Sequence, residues 1–333
     1  MADASARPRV AVVGGDTLLA RELRELLGES KPAPRIELIS ATAENVAVLG
    51  ADDEETVIMS PLQAESLEGA HVAFLVGSPA SSRRALKLNP PDGPLLIDLT
   101  AALEDQPAAR LRAPSAEHER APSQAAAIQV IAHPAAIAVA ILLSSLAKRA
   151  TIRRSIIHVF EPASERGKKG LDELRQQTVA VLSFHKLKTD VFDAQLSFNM
   201  LARYGEEAME PLEGVEQRIE RHLASLLAAY PAIPMPSLRL IQAPVFHGHS
   251  FSAWVEFEEN PGAQALARAL ADAGIDVRAD DPPSNVSIAG HSGLSVGAIA
   301  ADPNQPRAAW VWLVADNLRL AADNALAVAR ERF

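Results

Sequence analysis

The chain has 333 residues, 32 Lys and Arg against 42 Asp and Glu, a formal net charge of -10 and no cysteine. That length exceeds what one core fills efficiently and favours two domains, and the acidic balance speaks against non-specific nucleic-acid binding, which needs a basic surface. Without cysteine there can be no disulfide, no thiolate metal ligand and no thiol nucleophile.

Aromatic residues make up only 4% of the chain, so core volume has to come from Ala, Leu, Val and Ile. Helices packed on a parallel sheet suit that composition. Met1 to Arg9 is small and polar and shows no secretory signal. Arg9–Val13 predicts a strand, Gly14-Gly15-Asp16-Thr17 a turn, and Leu19, Leu23, Leu26 and Leu27 mark one face of a helix. Further strands are predicted over Arg35–Ser40, Ala70–Gly77, Leu95–Leu99 and Ile128–Ala132, with the small-residue loop Gly77-Ser78-Pro79-Ala80-Ser81-Ser82 after the third. Strands alternating with helices and ending in small polar loops indicate an α/β fold with a doubly wound parallel sheet. The Pro- and Ala-rich stretch from Gln106 to Ala127 reads as a surface excursion.

Ala125 to Leu146 is apolar enough to imitate a membrane span, but His133-Pro134 interrupts it. A buried strand, a turn and a helix from about Ala136 describe it better, and the expectation is a soluble, cytoplasmic protein. Beyond that helix, strands are predicted over Thr151–Val159, Arg239–Gln242, Ser250–Glu258, Gly293–Ile299 and Ala308–Val314. Helices are predicted over Gly170–Ser183, Leu212–Ala229, Ala263–Ala273 and Asp316–Arg332. Alternating strands with one polar face suggest an α+β second domain.

Several motifs invite chemistry, and each has a plainer reading. The glycine turn could present helix N–H groups to a pyrophosphate, yet at its three fingerprint positions stand Gly14, Thr17 and Ala20. An ordinary turn between strand and helix explains it as well. Ser164-Glu165-Arg166-Gly167-Lys168-Lys169-Gly170 could hold an anion, or be a solvated turn with its lysines in water. His247 and His249 share a face of an extended strand and could form a metal pair, but no further ligand cluster accompanies them. His249 as a lone acid–base, or as a polar turn histidine, are the alternatives. Asp316-Asn317 reads as a helix cap.

Taken in order, VAVVGGDTLLARELRELL, FLVGSPASS, LIDLTAALE, VIAHPAAIAVAILLSSL, SERGKKGLDEL, QLSFNML, QAPVFHGHS, LSVGAIAADP and WLVADNLRLAADNALAVA resemble the aspartate-semialdehyde dehydrogenase family over nearly the whole chain. QAPVF-x-GH and QLSFNML resemble its divergent Usg-type branch. The resemblance implies a Rossmann-like dinucleotide-binding domain over 1–134 with 315–333, and an α+β catalytic-type and dimerisation domain over 135–314. It also implies a homodimer, with NADP or NAD as cofactor and no metal. The cofactor positions implied are Gly14, Gly15, Asp16, Thr17, Ser40, Gly77, Ser78, Ser164, Gly167 and Asn317.

Members of that family use a cysteine in an Asn-Pro-Asn-Cys turn; here the turn is His133-Pro134-Ala135-Ala136, which puts Ala136 at the nucleophile position. His249 matches the family's acid–base. Gln242 stands where the resemblance implies a carboxylate-binding arginine, Glu104 where it implies a phosphate-binding arginine, and Glu161 where it implies a glutamine. An acidic–lysine pair expected near Met209–Leu212 has no clear counterpart. Losing the nucleophile and the cationic anchors together removes covalent catalysis and anion binding. The expectation is a catalytically silent homodimer that binds a small molecule or a protein. An NAD(P)-dependent reductase using His249 as acid–base, or the family's own dehydrogenase, are the other readings.

Overall fold

The computed structural model describes residues 7–41, 48–52, 55–117 and 127–332, with 48–52 and 55–57 as backbone alone. The chain divides into two compact units, Met1–Ala132 with Ala321–Phe333, and His133–Leu320.

The first unit contains β1 (Arg9–Val13), α1 (Leu18–Glu29), β2 (Arg35–Ile39), β3 (Val48–Asp52), β4 (Glu55–Met59), α2 (Ala64–Leu67), β5 (Val72–Leu75), α3 (Pro79–Leu88), β6 (Leu95–Asp98), β7 (Ala109–Arg112) and β8 (Ile128–Ile131). Its main sheet runs β2-β1-β5-β6-β8-β7 with every pair parallel. Val10–Val13 and Val72–Leu75 are shut off from water at every residue, as strands covered on both faces must be. Ala11, Val13, Ala73, Leu75, Leu96 and Val130 belong to its hydrophobic core.

Three strands of this unit were not foreseen. The hairpin β3–β4 forms a separate two-stranded sheet. The edge strand β7 falls within 106–127, which reads from the sequence as a surface excursion; residues 118–126 of that stretch lie outside the described residues. Ala109-Arg110-Leu111-Arg112 lacks an apolar run because an edge strand needs a partner on one side only.

The second unit contains α4 (Pro134–Ala147), β9 (Ile152–Glu161), a 3-10 turn (Ala163–Arg166), α5 (Gly167–Leu182), α6 (Leu212–Leu227), β10 (Ser237–Gln242), β11 (His249–Phe257), α7 (Ala263–Asp272), β12 (Asp276–Arg278), α8 (Asn285–Ile288), β13 (Ser295–Ala301), β14 (Ala308–Ala315) and the start of α9 (Asn317–Ala329). Its sheet runs β10-β9-β11-β14-β13-β12, antiparallel in the middle and parallel at both edge pairs. β12 had no visible signal, because three residues carry no periodicity.

Helix α4 starts where Pro134 fits a first turn that needs no N–H, and His133 Nδ1 accepts the Ala135 N–H at 3.2 Å. No helix among the described residues is long and apolar enough to cross a membrane. On β11, the two-residue period sends His249, Phe251, Ala253, Val255 and Phe257 to the side covered by helices, all fully buried. Ser252 and Trp254 face the other way. The long segment between α5 and α6 is fastened by α5 itself: Glu173 accepts the Val191 N–H at 2.6 Å and Gln177 accepts those of Leu196 and Ser197 at 2.7 and 3.1 Å.

In the first unit Arg112 is 1% exposed and forks between two carboxylates, bonding Glu117 at 2.8 and 3.1 Å and Glu331 at 3.1 and 2.7 Å. Truncating one member of such a pair leaves the others' charges poorly compensated. Arg112→Met should lower the unfolding free energy by about 3 kcal/mol, read by urea denaturation, whereas Glu331→Gln should cost clearly less.

Candidate functional site

In the first unit, β1 and β5 are neighbours although the chain visits β2 in between, so the carboxyl ends of β1 and β5 mark the point where strand order reverses. Open α/β sheets place ligands at such a point. Gly14 follows β1 at φ +96°, and a Cβ there would lie 2.3 Å from the Gly77 Cα. A Cβ on Gly77 would in turn lie 2.7 Å from both the Ala41 Cβ and the Ser81 Oγ.

The donors of this turn are already committed. Gly14 and Gly15 N–H both donate to the Ile39 carbonyl, at 2.8 and 3.2 Å. The Thr17 hydroxyl accepts the Ala20 N–H at 3.2 Å and donates to the Gly14 carbonyl at 2.9 Å, which makes it the cap of α1. Ser78 caps α3 reciprocally with Ser81. Asp16 is exposed, and Ser40 is buried with its N–H on the Ser60 carbonyl at 2.8 Å. Glu104 follows a turn that Asp98 organises by accepting the N–H groups of Thr100 and Leu103, each at 2.9 Å.

In the second unit, β9 and β10 run parallel with Glu161 opposite Gln242, so both side chains leave the sheet on its helix-covered side. The Ala163 and Ser164 N–H groups bond the carbonyls of Val245 and Phe246 at 2.8 and 3.0 Å, which ties the 3-10 turn to the loop before β11. Asn317 joins the same loops. Its Oδ1 accepts from the Ser164 hydroxyl at 3.1 Å and the Gly248 N–H at 3.0 Å, and its Nδ2 donates to Glu165 at 2.8 Å. Asp316 is the residue that caps α9, accepting the N–H groups of Leu318 and Arg319, each at 3.0 Å. The cap reading of Asp316-Asn317 therefore holds for Asp316, while Asn317 faces into the site.

Two joined clusters result. In the first, the His133 and His249 ring centroids are 5.7 Å apart, and Glu165 lies 3.7 Å from His133 Nε2 and 3.9 Å from His249 Nε2. The His133 N–H donates to His222 Nδ1 at 2.9 Å. Ala136, fully buried in the first turn of α4, follows His133 by three residues.

In the second, Arg166 pairs with Glu161 at 3.0 Å and with Glu210 at 3.4 Å, and Arg218 pairs with Glu210 at 2.7 Å. Gln242 accepts from the Tyr204 hydroxyl at 2.5 Å and donates to the carbonyls of Glu161 and Ala243 at 2.8 and 3.0 Å, so its amide is used up within the protein. Glu161 Oε2, Arg166 Nε, Arg218 Nε and both ring nitrogens of His249 are buried with no hydrogen-bond partner among the described residues.

The structure corrects the solvated-turn reading of 164–170. Lys168 and Lys169 are in water, but Glu165 and Arg166 turn inward. Glu165 and Arg166 were noted only as part of that turn, and Tyr204, Glu210, Arg218 and His222 were not singled out as site residues. A helical period was the available signal for two of them: Arg218 and His222 share the face of α6 that buries Val215 and Ile219. Among the described residues no group of three His, Asp or Glu is placed to hold a metal ion.

Burial dominates the electrostatics. It pushes the Glu161 carboxyl up to about 7, against the opposing pull of Arg166, and raises Glu165 as well. It pulls His249 down to about 3, with Asp316 opposing weakly, and holds His133 well below the ordinary imidazole range. The imidazoles are therefore neutral at physiological pH. A carboxyl whose folded value is raised binds its proton more tightly folded than unfolded, so its contribution to stability is present at low pH. That contribution is lost as pH climbs from its ordinary 4.5 through about 7. Glu161→Gln, which keeps an acceptor for Arg166, should flatten this part of the stability–pH curve, measured by denaturation at a series of pH values.

Comparison with known proteins agrees with this architecture. Residues 143–320 match the family model described as the semialdehyde dehydrogenase dimerisation domain. The chain is similar to a USG-1 protein homolog of Pseudomonas aeruginosa, 30% identical and covering 94% of each chain. It is also similar to an aspartate-semialdehyde dehydrogenase of Rickettsia bellii, at 25% identity over 97% of this chain and 96% of the relative. Among solved structures it resembles a probable aspartate-semialdehyde dehydrogenase from Pseudomonas aeruginosa, with TM-score 0.82 and 28% identity over 97% of this chain and 98% of the other. A matched model spanning more than half the sequence and a 30% identical full-length relative carry the conclusion: the chain belongs to the aspartate-semialdehyde dehydrogenase family.

Proposed function

We propose that this family member lacks phosphorylating semialdehyde dehydrogenase activity and serves as a homodimer that binds a small ligand without covalent catalysis. One observation carries the reading. At the turn where the resemblance places the nucleophile stands the Ala136 methyl group, fully buried three residues after His133, whose ring centroid is 5.7 Å from that of His249. The hydroxyl of Ser164, the residue before Glu165, donates to Asn317.

The surroundings agree. Gln242, at the implied carboxylate anchor, spends its amide on Tyr204 and two carbonyls, and Glu161 brings a carboxyl where a neutral amide is implied. Glu104 stands at the implied phosphate anchor. Each missing charge-assisted anchor removes about 1.5–3 kcal/mol of binding.

Nucleotide binding by the first unit is part of the proposal, as NADP or NAD. It is supported by the position of the turn after β1, where strand order reverses, and by a protein of this fold from Candida albicans, 15% identical with TM-score 0.68, that was solved with NADP.

The homodimer is supported by the second sheet's uncovered face. Ile156, Phe160, Trp254, Trp310 and Trp312 lie there, with Ile156 42% and Trp310 38% exposed, and these include all three tryptophans of the chain. The Trp254 and Trp310 indoles both donate to Asp302, at 2.7 and 3.1 Å, which holds them as a fixed ledge. An apolar, aromatic sheet face within a region matching a dimerisation domain fits a second copy of the chain.

A second reading, reduction of a small carbonyl compound by NAD(P)H with His249 as acid–base, is favoured by the convergence of His249, His133 and Glu165. Oxidation of NADPH or NADH with a panel of small aldehydes and ketones would establish it, and no turnover with any of them would remove it.

Purified protein given aspartate semialdehyde, NADP and phosphate should form no NADPH, and Ala136→Cys should form none either, because the anchors stay altered. Turnover by the parent chain would overturn the proposal. Calorimetric titration with NADP and with NAD should saturate below millimolar nucleotide for at least one of them; failure to saturate with both removes the cofactor. Light scattering should give the mass of a dimer, and Trp310→Glu should give a folded monomer with red-shifted tryptophan emission. A parent chain that is monomeric at micromolar concentration would refute the dimer.

A further inference from the structure

Glu165 stands between two buried imidazoles that reach it from different elements. Its Oε2 is 3.7 Å from His133 Nε2 at the start of α4, and its Oε1 is 3.9 Å from His249 Nε2 at the start of β11. Asn317 Nδ2 donates to Oε1 at 2.8 Å and fixes the carboxyl group from the side of α9.

The tautomers follow from the bonds. His133 Nδ1 accepts the Ala135 N–H, so that nitrogen carries no proton. The proton of the neutral ring is then on Nε2, the atom that faces Glu165. On the far side, both His249 nitrogens lack a partner. Leaving both polar atoms of a buried ring unbonded is costly, and Glu165 Oε1 lies 3.9 Å from Nε2.

We infer that Glu165 is the positioning residue of this imidazole pair, joining His133, Glu165 and His249 into one proton-sharing unit that leaves His249 Nδ1–H to meet an acceptor oxygen on the ligand. Within the unit, once the 3.7 and 3.9 Å gaps close to hydrogen-bond distance, His133 Nε2–H donates to Glu165 Oε2. The carboxyl keeps its own proton and offers it to His249 Nε2, which places the ring's proton on Nδ1.

Burial favours the uncharged form of all three groups. The charged and titratable groups that interact with them are Arg166 on the same turn, Glu161 at the end of β9, Tyr204 and Glu210 before α6, Arg218 and His222 on α6, and Asp316 before α9. Arg166 and Arg218 pull Glu165 toward ionisation, and Glu210 opposes them. The inference rests on the reading that this site receives a ligand, but it can be tested without one.

The test is long-range proton–nitrogen NMR of the imidazoles in the full-length protein, from about pH 5 to pH 9, the range in which free imidazole titrates. His133 should appear as a single tautomer protonated at Nε2, and His249 as a single tautomer protonated at Nδ1. In Glu165→Gln the His249 nitrogens should lose that single-tautomer signature, and Glu165→Asp should restore it in part. Should Glu165→Gln not fold, His133→Asn provides the second reading, and it should move the His249 resonances although it removes no atom bonded to that ring. His249 signals that are the same in the parent, Glu165→Gln and His133→Asn would overturn the inference. Since no ligand is present, failure of ligand binding would refute the proposed function and leave this result standing.

Discussion

The pairing of Glu161 with Arg166 inside the second unit constrains everything around it. A carboxylate and a guanidinium removed from water cost several kcal/mol each unless they meet with good geometry and further bonds. Here the guanidinium is shared, lying 3.0 Å from Glu161, 3.4 Å from Glu210 and 3.5 Å from the Tyr204 hydroxyl, with Arg218 closing the other side of Glu210. That network also takes in Gln242, through the Tyr204 hydroxyl that faces Arg166. The cluster still leaves donors and acceptors unmatched, among them Glu161 Oε2 and Arg166 Nε. Unmatched polar atoms in such a place favour a polar ligand over an inert core.

The histidine cluster obeys the same desolvation. His133 and His249 stay neutral because no nearby anion offsets their burial: Asp316 does so only weakly for His249, and Glu165 is itself pushed toward its protonated form. The arrangement suits hydrogen-bond donation and proton exchange between neutral groups. It does not suit stabilising an attacking anion, and Ala136 has none to offer.

The two units use their sheets differently. In the first, parallel strands buried on both faces bring Gly14 and Gly77 into backbone contact, so the glycines there have a packing reason independent of any nucleotide. In the second, one sheet face carries helices and His249, and the other carries the tryptophans. A single strand, β11, therefore serves the site and the uncovered face with alternate residues.

The α/β class, the alternation that buries His249 and Phe251, and the absence of a thiol were all legible along the chain, because strand and helix periods and residue types are local properties. The family was legible too, from short motifs in fixed order. The hairpin β3–β4, the edge strand β7 and the three-residue β12 were not, since their pairing owes more to a neighbouring strand than to their own pattern. Nor was the role of Glu165 and Arg166, which in the sequence are polar residues of a glycine-rich turn like Lys168 and Lys169. Only the tertiary structure decided that the first two turn inward and the lysines do not. Their partners, His133, Glu210, His249 and Asn317, come from elements far apart in the chain, and the burial that sets their protonation exists only once those elements have packed.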